Sequence, residues 1–139
     1  MTIDASRYRV KLAETDAERA GAQRLRYRVF VEEMGARASA EERAARREWD
    51  DFDPFFDHLV LLSLDAGIED PLDRVVGAYR LLRGEVAAAG PGFYGASEYD
   101  LTPLAASGRA SVELGRSCVA REHRGGRASV RRGLMPCRR

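Results

Sequence analysis

At 139 residues the chain has the length of one domain with a core of its own. Its 45% hydrophobic and 32% charged content fits a globular protein, and a formal net charge of +1 makes no case for a nucleic-acid partner. No apolar run is long enough to span a membrane, no secretory signal opens the sequence, and two cysteines are too few for a disulfide framework. A cytoplasmic, reduced setting is expected, with peripheral contact to the inner membrane left open. No metal-ligand spacing occurs. Lys11 is the only lysine among many arginines, which fits codon composition more than chemistry.

Residues 8–13 alternate, with Tyr8, Val10 and Leu12 on one side and Arg9 and Lys11 on the other, as a half-exposed strand does. Thr15-Asp16-Ala17-Glu18 reads as a capping box, so a helix is expected from Asp16 to about Met34, stopped by Gly35. Leu25, Val29, Phe30 and Met34 mark its apolar side. Arg26 and Phe30 lie four apart and share a face, so Arg26 is either a ligand contact or a snorkelling surface arginine. A second capping box, Ser39-Ala40-Glu41-Glu42, predicts a short charged helix ending near Trp49.

Asp50-Asp51-Phe52-Asp53-Pro54-Phe55-Phe56-Asp57 reads as a loop, because Pro54 and the acids disfavour regular structure. It is either a solvated acidic turn over tucked aromatics or a receptor for an ammonium group. Its spacing is not that of a calcium loop. Residues 58–64 read as a buried strand, with His58 a surface histidine at its end. A polar turn and a strand at 75–82 complete an antiparallel hairpin. Arg80 interrupts that apolar strand. It suits an anionic ligand group or pairing with the acids at 50–57. The stretch 84–104 is a long irregular connection with a short helix near 86–89, and connections of this length are often functional.

Ser111-Val112-Glu113-Leu114-Gly115-Arg116-Ser117-Cys118-Val119 reads as a buried strand running into a glycine loop. Glu113 and Arg116 place both signs of charge in it, which is costly unless each is paired. Strand alternation points the two opposite ways unless a bulge intervenes. Arg121, Arg124, Gly125 and Gly126 read as a loop able to hold a pyrophosphate or a phosphopantetheine phosphate. Seven arginines against one acid from Arg121 onward, without periodicity, predict a disordered basic tail at 127–139.

Four segments resemble one family when taken in order. They are Leu25-Arg26-Tyr27-Arg28-Val29-Phe30-Val31-Glu32-Glu33-Met34-Gly35-Ala36, Asp50-Asp51-Phe52-Asp53, Val76-Gly77-Ala78-Tyr79-Arg80-Leu81-Leu82 and Glu113-Leu114-Gly115-Arg116. Together they look like the L-ornithine N-alpha-acyltransferase branch of the GNAT superfamily, sometimes labelled hemolysin-like. They are also similar to the related acyl-homoserine-lactone synthases. Ala36 stands where those synthases carry a tryptophan, which favours the ornithine lipid branch.

The resemblance covers residues 8–126 and implies an α+β fold. This would be the N-terminal part of a GNAT acyltransferase, with a mixed or antiparallel sheet of about four strands and two N-terminal helices. It implies transfer of a 3-hydroxyacyl group from acyl carrier protein to the alpha-amine of L-ornithine, giving lyso-ornithine lipid. The donor would be the carrier's acyl-phosphopantetheine, with no bound cofactor and no metal. Carried over by motif, Arg26, Phe30, Asp50, Asp53, Arg80 and Arg116 shape the substrate pocket, and Glu113 is the candidate base. Arg121, Arg124, Gly125 and Gly126 would face the donor.

Against that family the pattern breaks near Gly126, so a truncated or frameshifted enzyme of little activity is expected. Two alternatives remain. One is a non-catalytic protein binding acyl carrier protein or anionic lipid. The other is a homoserine-lactone synthase, against which Ala36 speaks.

Overall fold

The computed structural model describes residues 4–124. Gly125 and Gly126 of the expected phosphate loop, and the expected tail at 127–139, lie outside the described residues. The fold is α+β. Strands β1 (Tyr8–Leu12), β2 (Asp57–Ser63), β3 (Val75–Arg83) and β4 (Val112–Val119) form one sheet in the order β1-β2-β3-β4, every pair antiparallel. The sheet is a meander, so each strand lies beside its neighbour in sequence.

Helix α1 (Asp16–Arg26) starts where the sequence predicts. The Thr15 hydroxyl accepts from the Glu18 N–H, and the Glu18 carboxylate accepts from the Thr15 N–H. The helix does not run on unchanged to Met34. It widens into a π-helical turn over Tyr27–Glu33, where Met34 N–H reaches back to the Val29 carbonyl. Gly35 follows at φ +74°, the left-handed stop its position calls for. Short π segments occur often at functional sites, and this one begins at the residue after Arg26. Helix α2 (Ala40–Ala45) also carries its capping box, but it stops well before Trp49 because Arg46 turns left-handed at φ 52°.

Ala22, Leu25, Val29 and Phe30 pack on Val60, Val75, Val76, Ala78 and Cys118, forming the main core between the helix and one sheet face. A smaller core gathers Phe56, Leu82 and Ala87, with Phe52 and Phe93 at its border. The opposite sheet face is less covered. Val10 and Leu12, on the apolar side of β1, are largely exposed, as are Val112 and Leu114 of β4. Only the second half of β4, from Ser117, is buried, so the expected fully buried strand is a half-buried one.

The connection between β3 and β4 holds more structure than the sequence suggests. It contains α3 (Gly84–Ala89), a 3-10 turn at Tyr94–Ser97 and α4 (Thr102–Ala106). Among the described residues no helix is long and apolar enough to cross a membrane.

Gly21 lets α1 sit close to the sheet. A β-carbon there would lie 2.5 Å from Val75 Cγ2 and 2.8 Å from the Leu72 carbonyl oxygen. Helix propensity alone favours alanine over glycine by about 1 kcal/mol. Overpacking costs about 1–3 kcal/mol, and here the obstacle is partly backbone. Gly21→Ala is therefore expected to lower the urea midpoint, and a raised midpoint would show that the contact relaxes freely.

Candidate active site

The segment between α2 and β2 crosses the open end of α1 and the sheet. Glu48 N–H donates to the Gln23 carbonyl at 3.0 Å, which pins the segment to α1. Asp50 shapes the next turn of the chain. Its Oδ1 accepts the N–H of Phe52 and of Asp53, closing a side-chain turn. A 3-10 turn at Asp53–Phe55, with Pro54 inside it, then leads into β2.

Six charged side chains from four parts of the chain meet here. Arg26 donates from Nε to Glu48 Oε2 at 2.7 Å, and from Nη2 to Asp53 Oδ2 at 2.5 Å and to the Glu48 carbonyl at 2.8 Å. Arg80 donates from Nη1 to Asp53 Oδ1 and Asp50 Oδ1, each at 2.7 Å, and stacks its guanidinium 4.0 Å over the centre of the Phe56 ring. Arg116 pairs with Glu48 Oε1, and its Nη2 lies 3.6 Å from Asp50 Oδ2. Three guanidiniums thus face three carboxylates, so the buried charge balances. A lone buried ion would cost several kcal/mol.

Arg26 is the largest fully enclosed side chain, at 1% exposure. That excludes the snorkelling alternative and also keeps Arg26 from touching a ligand. Asp53 is likewise spent, accepting from Arg26, Arg80 and Gln23. Burial pushes the Asp53 carboxyl up, but the Arg26 charge, the Gln23 amide and Arg80 outweigh it and hold it below the ordinary range.

His58 is not the surface histidine expected. It is buried opposite Arg80 in the β2–β3 register, among the same charges. Its Nδ1 lies 3.4 Å from Arg26 Nη1, and a guanidinium only donates, so Nδ1 accepts. The ring proton therefore sits on Nε2, which donates to the Asp53 carbonyl at 3.2 Å. Burial, and then the Arg26 cation, lower the His58 pKa and keep it neutral. Glu48 also escapes sequence reasoning, since nothing in Arg47-Glu48-Trp49 separates a buried acid from a surface one.

Arg116 reaches the cluster through a bulge. The β3–β4 register passes from Ala78 opposite Cys118 to Arg80 opposite Gly115, so Arg116 and Ser117 together oppose Tyr79. Arg116 sits at φ 53°, a conformation costing a non-glycine residue about 1–2 kcal/mol. The bulge brings Arg116 to the face that carries Arg80 and Glu113, in place of the opposite orientation that plain alternation gives.

Glu113 stands apart from the ion network. Its Oε1 accepts the Tyr94 N–H at 2.7 Å and its Oε2 the Gly95 N–H at 2.8 Å, and the residue is half-buried. Between Glu113 and Arg116 the strand is bare, because a β-carbon on Gly115 would meet nothing within 4 Å. Phe30 is buried in the main core, with its ring 6.0 Å from the Arg116 guanidinium. Ala36 packs at the border of that core. Arg121 is exposed, whereas Arg124 is spent on the Val119 carbonyl and Glu33. Burial pushes the Cys118 thiol up to about 12, so it is no nucleophile.

Two enclosed polar atoms of the cluster remain without a partner. Asp50 Oδ2 and Arg80 Nε have no hydrogen-bond partner within the protein, and Asp50 and Arg116 each keep about a quarter of their side-chain surface exposed. The arrangement separates buried residues that hold from rim residues that can touch a ligand.

The network also sets acid sensitivity. His58 has a lowered pKa when folded, so its contribution is full above about pH 6.5 and falls away as pH drops below that. Asp53 has a lowered pKa too, so its share is full above about pH 4 and is lost as pH falls through its folded value. Urea melts across this range are expected to show a two-stage loss of stability. Asp53→Asn should cost about 3 kcal/mol near neutrality and flatten the lower stage, because it leaves Arg26 and Arg80 underpaired. A variant as stable as the parent at pH 7 would refute the account.

A family model described as acetyltransferase (GNAT) domain matches residues 25–132. The chain is similar to an L-ornithine N(alpha)-acyltransferase of Rhodobacter capsulatus, 54% identical over 88% of this chain and 47% of that relative. It is also similar to proteins of the same name from Agrobacterium fabrum, 51% identical over 82% of this chain and 39% of the relative, and Brucella abortus, 44% identical over 83% and 41%. The chain thus spans less than half the length of these curated relatives. No solved structure matches it significantly. With its antiparallel meander, helix-covered face and bulged fourth strand, the chain belongs to the acetyltransferase (GNAT) domain family.

Proposed function

We propose that the chain carries the amino-acid side of an N-acyltransferase site that moves a 3-hydroxyacyl group from acyl carrier protein to the alpha-amine of L-ornithine, forming lyso-ornithine lipid. The observation that carries this reading is the partly exposed Asp50–Arg116 pair at the border of a charge-balanced cluster, in which the enclosed Asp50 Oδ2 has no hydrogen-bond partner and lies 3.6 Å from Arg116 Nη2. A free amino acid bears an ammonium and a carboxylate, and it needs that pair of partners. The names of the relatives support ornithine as the acceptor.

In this reading Asp50 takes the ammonium and Arg116 the carboxylate. Arg26, Glu48, Asp53, Arg80 and His58 are positioning residues that fix those two groups. Phe30 backs Arg116. The amine must lose a proton before it attacks the thioester carbonyl. Glu113 is the proposed base, directly or through a water. Each of its oxygens spends one acceptor site on a backbone N–H and keeps another. The open surface at Gly115 lies between base and cation and suits the reacting carbonyl. The new C–N bond forms, the C–S bond breaks, and the departing thiolate takes up a proton. Arg121 lies after β4, on the side where a phosphopantetheine arm would arrive. A carrier protein is acidic, and this arginine fits it. Peripheral contact with the inner membrane would suit a lipid product.

Mass spectrometry of the chain mixed with 3-hydroxyacyl carrier protein and L-ornithine is expected to detect 3-hydroxyacyl-ornithine. Turnover that does not depend on an amino acid, or the absence of both product and saturable L-ornithine binding by the chain, would overturn the reading. Gly115→Ala should fold normally, because its β-carbon meets nothing within 4 Å, yet lose product formation by about tenfold or more if the carbonyl sits there. Glu113→Gln keeps acceptor capacity on only one of its side-chain atoms. An undiminished rate in that variant would remove the base assignment.

A further inference from the structure

Helices α1 and α2 open with the same capping box, and the two glutamates differ in what they do beyond it. Glu18 completes its box and reaches Lys11 with its other oxygen at 3.0 Å, in a partly exposed ion pair. Glu42 completes its box by accepting the Ser39 N–H on Oε2 at 2.8 Å. Its Oε1 accepts the Trp49 N–H at 3.2 Å, seven residues further on. A capping glutamate needs one oxygen for its helix. The second bond serves the segment that follows.

That bond exists because the chain turns back on α2. Arg46 takes φ 52°, and the N–H groups of Arg46 and Arg47 both reach the Glu42 carbonyl. A non-glycine residue enters this region only at a cost. Arg46 is anchored there by its ion pair with Glu32 at 2.5 Å. The reversal returns the Trp49 amide to the first turn of α2. Trp49 lies between Glu48 and Asp50, the two acids that meet Arg116. Glu48 is fixed by the Gln23 carbonyl, and Asp50 Oδ1 by the Phe52 and Asp53 amides and Arg80. The peptide between Glu48 and Trp49, just before Asp50, is fixed by Glu42.

We propose that Glu42 is a positioning residue for the amino-acid substrate. By holding the Trp49 amide it sets the spacing of Asp50 and Arg116, the pair that receives the ammonium and the carboxylate. The proposal rests on the reading of that pair as the L-ornithine site. A displacement of about 1 Å is enough to weaken such a two-point contact. Helix α2 is then a strut for the site, and the strained Arg46 turn is what lets it reach.

Titration calorimetry of the full chain with L-ornithine tests this, with Ser39→Ala as the control. Glu42→Gln has one acceptor oxygen, so it cannot hold both the Ser39 and the Trp49 amides. Ser39→Ala removes the other half of the capping box and keeps both carboxylate bonds. Both variants should melt earlier than the parent. Only Glu42→Gln should weaken L-ornithine, by about fivefold or more. Where turnover is followed, its loss should fall on KM for L-ornithine and leave kcat. Trp49 is the sole tryptophan and is half-buried, so its emission should shift to the red in Glu42→Gln without ligand and stay parental in Ser39→Ala. Should Glu42→Gln fold poorly by circular dichroism, Glu42→Asp keeps the charge at the helix start and falls one methylene short of Trp49. Parental affinity in the Glu42 variants, or an equal loss in Ser39→Ala, would reduce Glu42 to a helix cap and overturn the proposal while L-ornithine still binds. A parent chain that binds no L-ornithine would instead sink the amino-acid site, and the positioning role with it.

Discussion

The Asp53 carboxylate, shared between two buried arginines, is the interaction on which the rest of the site depends. Arg26 comes from the end of α1 and Arg80 from the middle of β3. Both are almost fully enclosed, and neither is tolerable there without a carboxylate between them. Asp53 therefore fixes the distance between the helix and the sheet at this end, where the main core gives way to charge. It also fixes the loop that carries Asp50 and Glu48. Those acids in turn meet Arg116 from the far strand. Removing one member leaves others unpaired in a low-dielectric setting, so the cluster behaves as one unit and not as separate salt bridges.

Much of this is legible in the sequence, and the remainder is hidden for physical reasons. Both helix starts are written locally, as Thr15 with Glu18 and Ser39 with Glu42. The strands stand out as apolar runs between turn residues. Arg26, Asp50, Asp53, Arg80 and Arg116 show as charges inside apolar patterns or by resemblance, and the structure gathers them. Glu48 and His58 do not show, because burial of a polar side chain depends on partners distant in sequence. The π turn is silent because it changes no local residue preference. The bulge at Arg116 is hidden because the left-handed position carries an arginine where a glycine would have announced it. The sequence places Glu113 and Arg116 three apart, and only the backbone decides that they share a face.

The exposed half of the sheet follows from the same geometry. Helix α1 covers one face, and the packing of Leu25, Val29 and Phe30 accounts for the core there. On the other face Val10, Leu12, Val112 and Leu114 stay largely open. Alternation alone makes the apolar residues at these positions look like an inner side. It tells which residues share a face but not whether anything lies over that face. The period holds for β1, and its apolar side is the open one.

Strain and unmet valence coincide at this corner, although Arg46 at the end of α2 also turns left-handed and the buried Ser117 Oγ also lacks a partner. Arg116 adopts a costly backbone angle, Asp50 Oδ2 and Arg80 Nε lack partners, and Gly115 leaves open strand surface between Arg116 and Glu113. Each feature is unfavourable for folding alone. Away from this corner, the main core is packed from apolar side chains and the exposed ion pairs are ordinary surface contacts. An apolar repacking of the same corner would have held helix to sheet at lower cost. Such a corner would lack a matched acceptor and cation at its rim, held rigid from behind by buried charge. A ligand bearing both an ammonium and a carboxylate would relieve the unmet acceptor and engage the strained arginine together. On the proposed reading, that cost to the fold serves as preorganisation for binding.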